Sequence, residues 1–160
     1  MARIYISIGT NINRELNLRG AVRDLAQLLG PLQLSSVYES EAVGFVGDAF
    51  YNMVIGADTE LALSEVIALC KHTEDNYGRV RDGIKYCGRS LDLDLLSYDQ
   101  LICSEPVELP RAEILYNAFV LQPLAEIAPD TLHPVLHQSY QQLWHDYHTP
   151  QKLWVIPFQF

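Results

Sequence analysis

A chain of 160 residues with 11 Lys and Arg against 20 Asp and Glu carries a net charge of −9, which excludes nucleic acid as the main partner because a phosphate backbone needs a basic footprint. Apolar residues at 49 % exclude a disordered chain, and the length suffices to bury a core without disulfides or structural metal. Three widely spaced cysteines (Cys70, Cys87, Cys103) lack a Cys-x-x-Cys pair, no stretch approaches the roughly 20 apolar residues of a membrane span, and the N-terminus lacks signal-peptide flanks, so a cytoplasmic protein with no membrane partner is expected.

The first strand is expected at Arg3 to Ile8, where Ile4, Ile6 and Ile8 alternate with Tyr5 and Ser7. Gly9-Thr10-Asn11 turns the chain, Asn13 is the expected N-cap, and Leu18, Val22, Leu25 and Leu29 follow at helical spacing until Gly30-Pro31. A second strand is expected from about Leu34 to Tyr38, a loop from Glu39 to Ala49, and a third strand from Phe50 to Ala57. A second helix is expected from about Ala62 to Tyr77, with Leu63, Ile67, Cys70 and Tyr77 on one stripe and Gly78 as its C-cap. A basic loop, Arg79 to Arg89, leads into a fourth strand at Leu91 to Tyr98. The order β-α-β-β-α-β predicts an α+β, ferredoxin-like sandwich: one antiparallel sheet with both helices on one face. The Pro-rich remainder reads as a C-terminal extension of the same domain, residues 1–160, with short helices near Phe119 to Ile127 and Leu136 to Tyr147.

The sharpest chemical feature is Leu91-Asp92-Leu93-Asp94-Leu95. Alternation puts the leucines on one face and both acids on the other, roughly 6–7 Å apart. Two carboxylates so placed suit hard divalent cations such as magnesium; the bland alternative is a solvated polar face, although Asp is a poor strand former. Arg79, Arg81, Lys85 and Arg89 immediately precede the pair and suit polyphosphate oxygens, against the alternative of a solvated loop. Glu74 falls on the apolar stripe of its helix, either at the stripe's exposed end or facing a cleft. His133 and His137 have i,i+4 spacing, but Pro134 lies between them and no Glu partner follows, so a zinc site is not expected. Tyr140, Trp144 and Tyr147 read as core. There is no P-loop and no Rossmann fingerprint.

Gly78-Arg-Val-Arg followed at a distance by Arg89-Ser-Leu-Asp-Leu-Asp94 resembles the signature of the 6-hydroxymethyl-7,8-dihydropterin pyrophosphokinases of folate synthesis. Ile6-Ser-Ile-Gly-Thr-Asn11, Ser35-Ser-Val-Tyr38, Phe50-Tyr-Asn52 and Phe119 to Pro129 are similar to further segments of that family, in order, along nearly the whole chain. The resemblance implies transfer of an intact pyrophosphoryl group from ATP to a reduced pterin, leaving AMP. It implies that Asp92 and Asp94 hold two Mg2+ ions, that Arg79 and Arg89 neutralise phosphate charge beside them, and that Glu74, Arg81 and Arg111 contribute to the ATP site. Ser40, Val43, Phe50, Asn52, Tyr86 and Phe119 are implied for the pterin site, with Asn52 reading the ring's polar edge and Phe119 stacking on its face. A monomer is expected.

Three positions depart from the family pattern: Arg111 where His is usual, Asn117 where Arg is usual, and Glu41 where Pro is usual. They favour, as alternatives, a non-catalytic relative that keeps the pocket or a kinase for a different heterocyclic alcohol.

Overall fold

The computed structural model describes residues 1–40, 49–77 and 91–160. Strand β1 spans Ala2–Thr10, helix α1 Arg14–Leu29, β2 Gln33–Leu34, β3 Val37–Ser40, β4 Phe50–Thr59, α2 Leu63–Asp75 and β5 Asp92–Tyr98. The C-terminal part adds a 3-10 turn at Ala112–Leu115, α3 at Ala118–Ile127, α4 at Tyr140–His145 and β6 at Leu153–Ile156. The strands lie in the order β5-β1-β4-β3-β6, with β2 also on β4, and the pairings are antiparallel. This is the split βαβ arrangement expected from the alternation of strands and helices.

Period-2 alternation supplies each strand with two different faces. Ile4, Ile6 and Ile8 of β1, Met53 and Ile55 of β4, and Leu93 and Leu95 of β5 meet Leu18, Leu25, Val66 and Cys70 of α1 and α2 in one buried cluster. Each aliphatic side chain fully buried there contributes about 1.5–3 kcal/mol. On the opposite face Tyr5, Val54 and Leu96 meet Ile114, Val120, Leu121, Leu124 and Tyr140. The C-terminal extension therefore covers the second face of the sheet, and helices flank it on both sides.

Several local expectations change. Asn13 does precede α1, but at φ 46° and ψ 49°, with no side-chain cap; its carbonyl instead accepts the Asn17 N–H at 2.9 Å. Gly30 ends the helix at φ 83°, a conformation that favours glycine. The second strand is broken in two at Ser35 and Ser36. The Ser35 hydroxyl accepts the Val54 N–H at 2.9 Å, and the Ser36 N–H and hydroxyl donate to the Glu126 carboxylate at 2.9 and 2.8 Å. Side chains thus replace ladder bonds at that point. Helix α2 centres its buried stripe on Val66, Cys70, Thr73 and Glu74, with Leu63 and Ile67 at its margins. The last helix begins only at Tyr140, because residues 132–139 form a turn closed by the Leu132–Ser139 bridge and by His137 N–H on the His133 carbonyl. Strand β6 was not expected; it extends the sheet beside β3.

Candidate active site

The cross-strand register builds the floor of a cleft. Gly9 pairs with Asn52 on β4 and with Asp92 on β5; Ser7 pairs with Val54 and Asp94. The β1/β5 register shifts next to this point, between Tyr5 and Ile6. Tyr5, Val54 and Leu96 lie beneath the C-terminal helices, and further along the same face Ser7, Gly9, Asn52, Asp92 and Asp94 line a cleft of about 570 Å³. That volume suits a small-molecule site. Neighbouring strands lie about 4.8 Å apart, so Asn52 and Asp92 face the cleft roughly 10 Å from each other across Gly9. A Cβ at Gly9 would stand 3.4 Å from Asn52 Oδ1, so glycine keeps the middle of the floor low.

At one end, Asn52 and Ser40 are buried, and the Asn52 amide donates to the Ser40 hydroxyl at 2.8 Å. Phe50 and Phe119 line the same cleft. Phe119 is carried there by the first turn of α3, whose apolar residues dock on the sheet. An aromatic wall beside a hydrogen-bonded amide suits a flat ring with a polar rim.

At the other end, Asp92 and Asp94 are half-buried, while Leu91, Leu93 and Leu95 point into the core as the alternation predicted. Glu74 faces this cleft and is 7 % exposed. It stands in the last turn of α2, where the helix dipole disfavours an acid. Its carboxylate accepts the Leu93 N–H at 2.9 Å, gripping β5 between the two aspartates. Burial first, and then the Glu74 and Asp94 carboxylates, push the Cys70 thiol up to about 12. Arg111 is anchored by its N–H on the Leu96 carbonyl at 2.9 Å, and its guanidinium lies 3.4 Å from Asp94 Oδ1. Burial works against the charge of Arg111, but Asp94 and Glu113 outweigh it and raise its pKa.

Among the described residues no group of three or more His, Cys, Asp or Glu forms a ready-made metal cage. Two strand carboxylates are nevertheless a fitting donor set for Mg2+, which keeps several waters and takes its remaining oxygens from phosphates. The structure brings together Ser40, Phe50, Asn52, Glu74, Asp92, Asp94, Arg111 and Phe119 in one cleft. Val43, Arg79, Arg81, Tyr86 and Arg89 lie outside the described residues, as do Glu41 and Gly78. His133 is buried, and its Nδ1 accepts the N–H groups of Val135 and Leu136 at 3.2 and 3.1 Å, a structural role. Among the described residues no helix is long and apolar enough to cross a membrane.

Sequence reasoning overlooked Glu113. It accepts Arg111 Nε and Nη2 at 3.1 and 2.9 Å on one oxygen and the Asn117 amide at 3.1 Å on the other. The signal was available as the i,i+4 spacing of Glu113 and Asn117 behind an arginine.

A family model described as 7,8-dihydro-6-hydroxymethylpterin-pyrophosphokinase (HPPK) matches residues 5–129. The chain is 30 % identical over 145 residues to a 2-amino-4-hydroxy-6-hydroxymethyldihydropteridine pyrophosphokinase of Aquifex aeolicus, covering 89 % of this chain and 90 % of that protein. It is 37 % identical over 128 residues to the Bacillus subtilis protein of the same name, covering 77 % and 76 %. Among solved structures, Plasmodium falciparum HPPK-DHPS wild type superposes with a TM-score of 0.74 at 14 % identity, over 91 % of this chain; the chain spans 44 % of that longer one. At that identity the superposition speaks to the fold alone.

Proposed function

The chain belongs to the 7,8-dihydro-6-hydroxymethylpterin-pyrophosphokinase family, and from that premise we propose that it transfers pyrophosphate from ATP to 6-hydroxymethyl-7,8-dihydropterin in folate biosynthesis. The hydroxymethyl oxygen bonds to the β-phosphorus while the bond from that phosphorus to the oxygen bridging the α-phosphorus breaks; AMP leaves and the hydroxyl proton is released. The observation that carries the reading is the single cross-strand row Asn52–Gly9–Asp92, which sets a neutral amide and a metal-type carboxylate on one cleft floor.

The residues divide the work. Asn52 and Ser40 orient the pterin's polar rim and Phe119 packs on its ring. Asp92 and Asp94 would hold Mg2+, and Arg111 would meet a phosphate. Bound magnesium supplies charge neutralisation of the polyphosphate. The acceptor is a weak nucleophile and little covalent chemistry falls to the protein, so positioning and charge stabilisation supply the rate. The same reading has the protein working as a monomer in the cytoplasm.

The test is incubation with Mg2+, ATP and the reduced pterin. AMP formation dependent on the pterin is expected; ADP in its place would reject pyrophosphoryl transfer. A second reading, a relative that binds both ligands without turnover, draws on Arg111 and Asn117. Where the family usually has cations for ATP, Asn117 spends its amide on Glu113, and Arg111 is engaged with Asp94 and Glu113. Tight binding of both ligands with no AMP above background would select it.

A further inference from the structure

The charged end of the cleft contains a four-residue relay in which the pyrophosphokinase reading uses Arg111 and Asp94 and gives Glu113 and Asn117 no part. Asn117 precedes α3 in the N-cap position, where its side chain would ordinarily cap the helix. It makes no such cap and instead donates to Glu113 Oε2 at 3.1 Å. Glu113 Oε1 takes two N–H groups from the Arg111 fork, at 3.1 and 2.9 Å. The Nη2 of that fork also lies 3.4 Å from Asp94 Oδ1. Arg111 is tethered at its backbone to Leu96, on the strand that carries Asp94. The backbone hydrogen bond to Leu96 and the fork's bonds to Glu113 thus hold the guanidinium beside Asp94, in a partly exposed pair that a competing charge can open.

We propose that Arg111, positioned by Glu113 and Asn117, is a resident counter-ion of Asp94 among the described residues, and that a divalent cation takes this carboxylate by displacing it. The inference rests on the reading of Asp94 as a metal ligand. A guanidinium and a dication repel each other and compete for one anionic side chain. A polyphosphate offers the displaced fork a new bidentate partner. Metal alone therefore binds weakly, and metal with nucleotide binds with positive coupling, each improving the other by the same factor. Glu113 is a positioning residue here, acting through Arg111.

The experiment titrates the protein with Mn2+ alone, without nucleotide, and follows free Mn2+ by electron paramagnetic resonance. Arg111→Ala is expected to tighten Mn2+ by about fivefold, the scale of one partly exposed ion pair. Lys71→Ala, which removes another cation lining the cleft, is expected to leave the affinity within about twofold. Unchanged or weaker Mn2+ binding in Arg111→Ala, or equal tightening in Lys71→Ala, would overturn displacement; the second result would assign the effect to the general field of the cleft. In a Glu113→Gln background the tightening from Arg111→Ala is expected to shrink, and an undiminished fivefold gain would remove Glu113 from the relay. Asp94→Asn separates the two levels. If it abolishes Mn2+ binding while Arg111→Ala changes nothing, only this inference fails. If it leaves Mn2+ binding intact, the metal reading fails and the inference with it.

Discussion

The two ends of the cleft are built by opposite strategies on one sheet face. At the Asn52 end the polar groups are buried, neutral and satisfied by each other: Asn52 is 6 % exposed, Ser40 is 8 % exposed, and they share a 2.8 Å hydrogen bond. At the Asp94 end Glu74 is buried on the Leu93 N–H, but the acidic and basic side chains around Arg111 stay a quarter to a third exposed and pair with each other, Asp94 with Arg111 across elements and Arg111 with Glu113 two residues on. The difference follows from desolvation. A buried amide is tolerated once hydrogen-bonded, whereas buried charges need pairing or continued access to water. A rigid, neutral end suits recognition of a flat heterocycle by shape and polar rim. A wetter, charged end suits exchange of ions, because its pairs break at small cost. Gly9, paired with both Asn52 and Asp92, is the hinge point of that contrast.

The largest effect should come from Asp94→Ala. It is expected to lower pterin-dependent AMP formation by about a hundredfold or more, as loss of a charge-stabilising group does. Wild-type turnover in that variant would dissolve the charged end as a site. Next, Asn52→Ala removes the buried amide and leaves the Ser40 hydroxyl without the donor it has now. The pterin KM should rise by about tenfold, with the ATP KM within about twofold. Equal shifts in both constants would show that the two ends do not divide the substrates. Gly9→Ala sits between them. Its added methyl would touch Asn52 Oδ1 at 3.4 Å, an ordinary contact, so the fold should survive while both KM values rise a few-fold, roughly two to five. Loss of binding at only one end would assign Gly9 to that end.

The smallest effect lies outside the cleft and serves as a control on pH. Burial first, and then His137, holds the His133 imidazole below its ordinary pKa, and its Nδ1 accepts two backbone N–H groups. As pH falls, unfolded His133 takes up a proton before the folded form does, so the unfolded state binds more protons. The stabilisation is therefore complete above about pH 6.5 and declines as pH drops from there through the folded pKa. Thermal unfolding between about pH 7 and about pH 5 should show a falling Tm that His133→Gln flattens. An identical slope in the variant would place the titrating group elsewhere.

Much of this protein is determined by short-range pattern alone. Ile4-Ile6-Ile8 and Leu91-Leu93-Leu95 could bury one strand face only by turning Tyr5, Ser7, Asp92 and Asp94 to the other, because side chains alternate with period two. The stripe Leu18-Val22-Leu25-Leu29 likewise determined which side of α1 meets the sheet, and all four are buried. Only the tertiary structure decided what lies opposite those faces. The break between β2 and β3 depends on Glu126, 90 residues from Ser36. Strand β6 exists because β3 offers it an edge, and the choice between an exposed and a cleft-facing Glu74 was made by the Leu93 N–H, 19 residues away. The pairing of Arg111 with Asp94 depends on the segment after β5 folding back to place the Arg111 N–H on Leu96. Periodicity reports which way a side chain points, since that is local backbone geometry; which group it meets is settled by chain closure over long loops, which no local window contains.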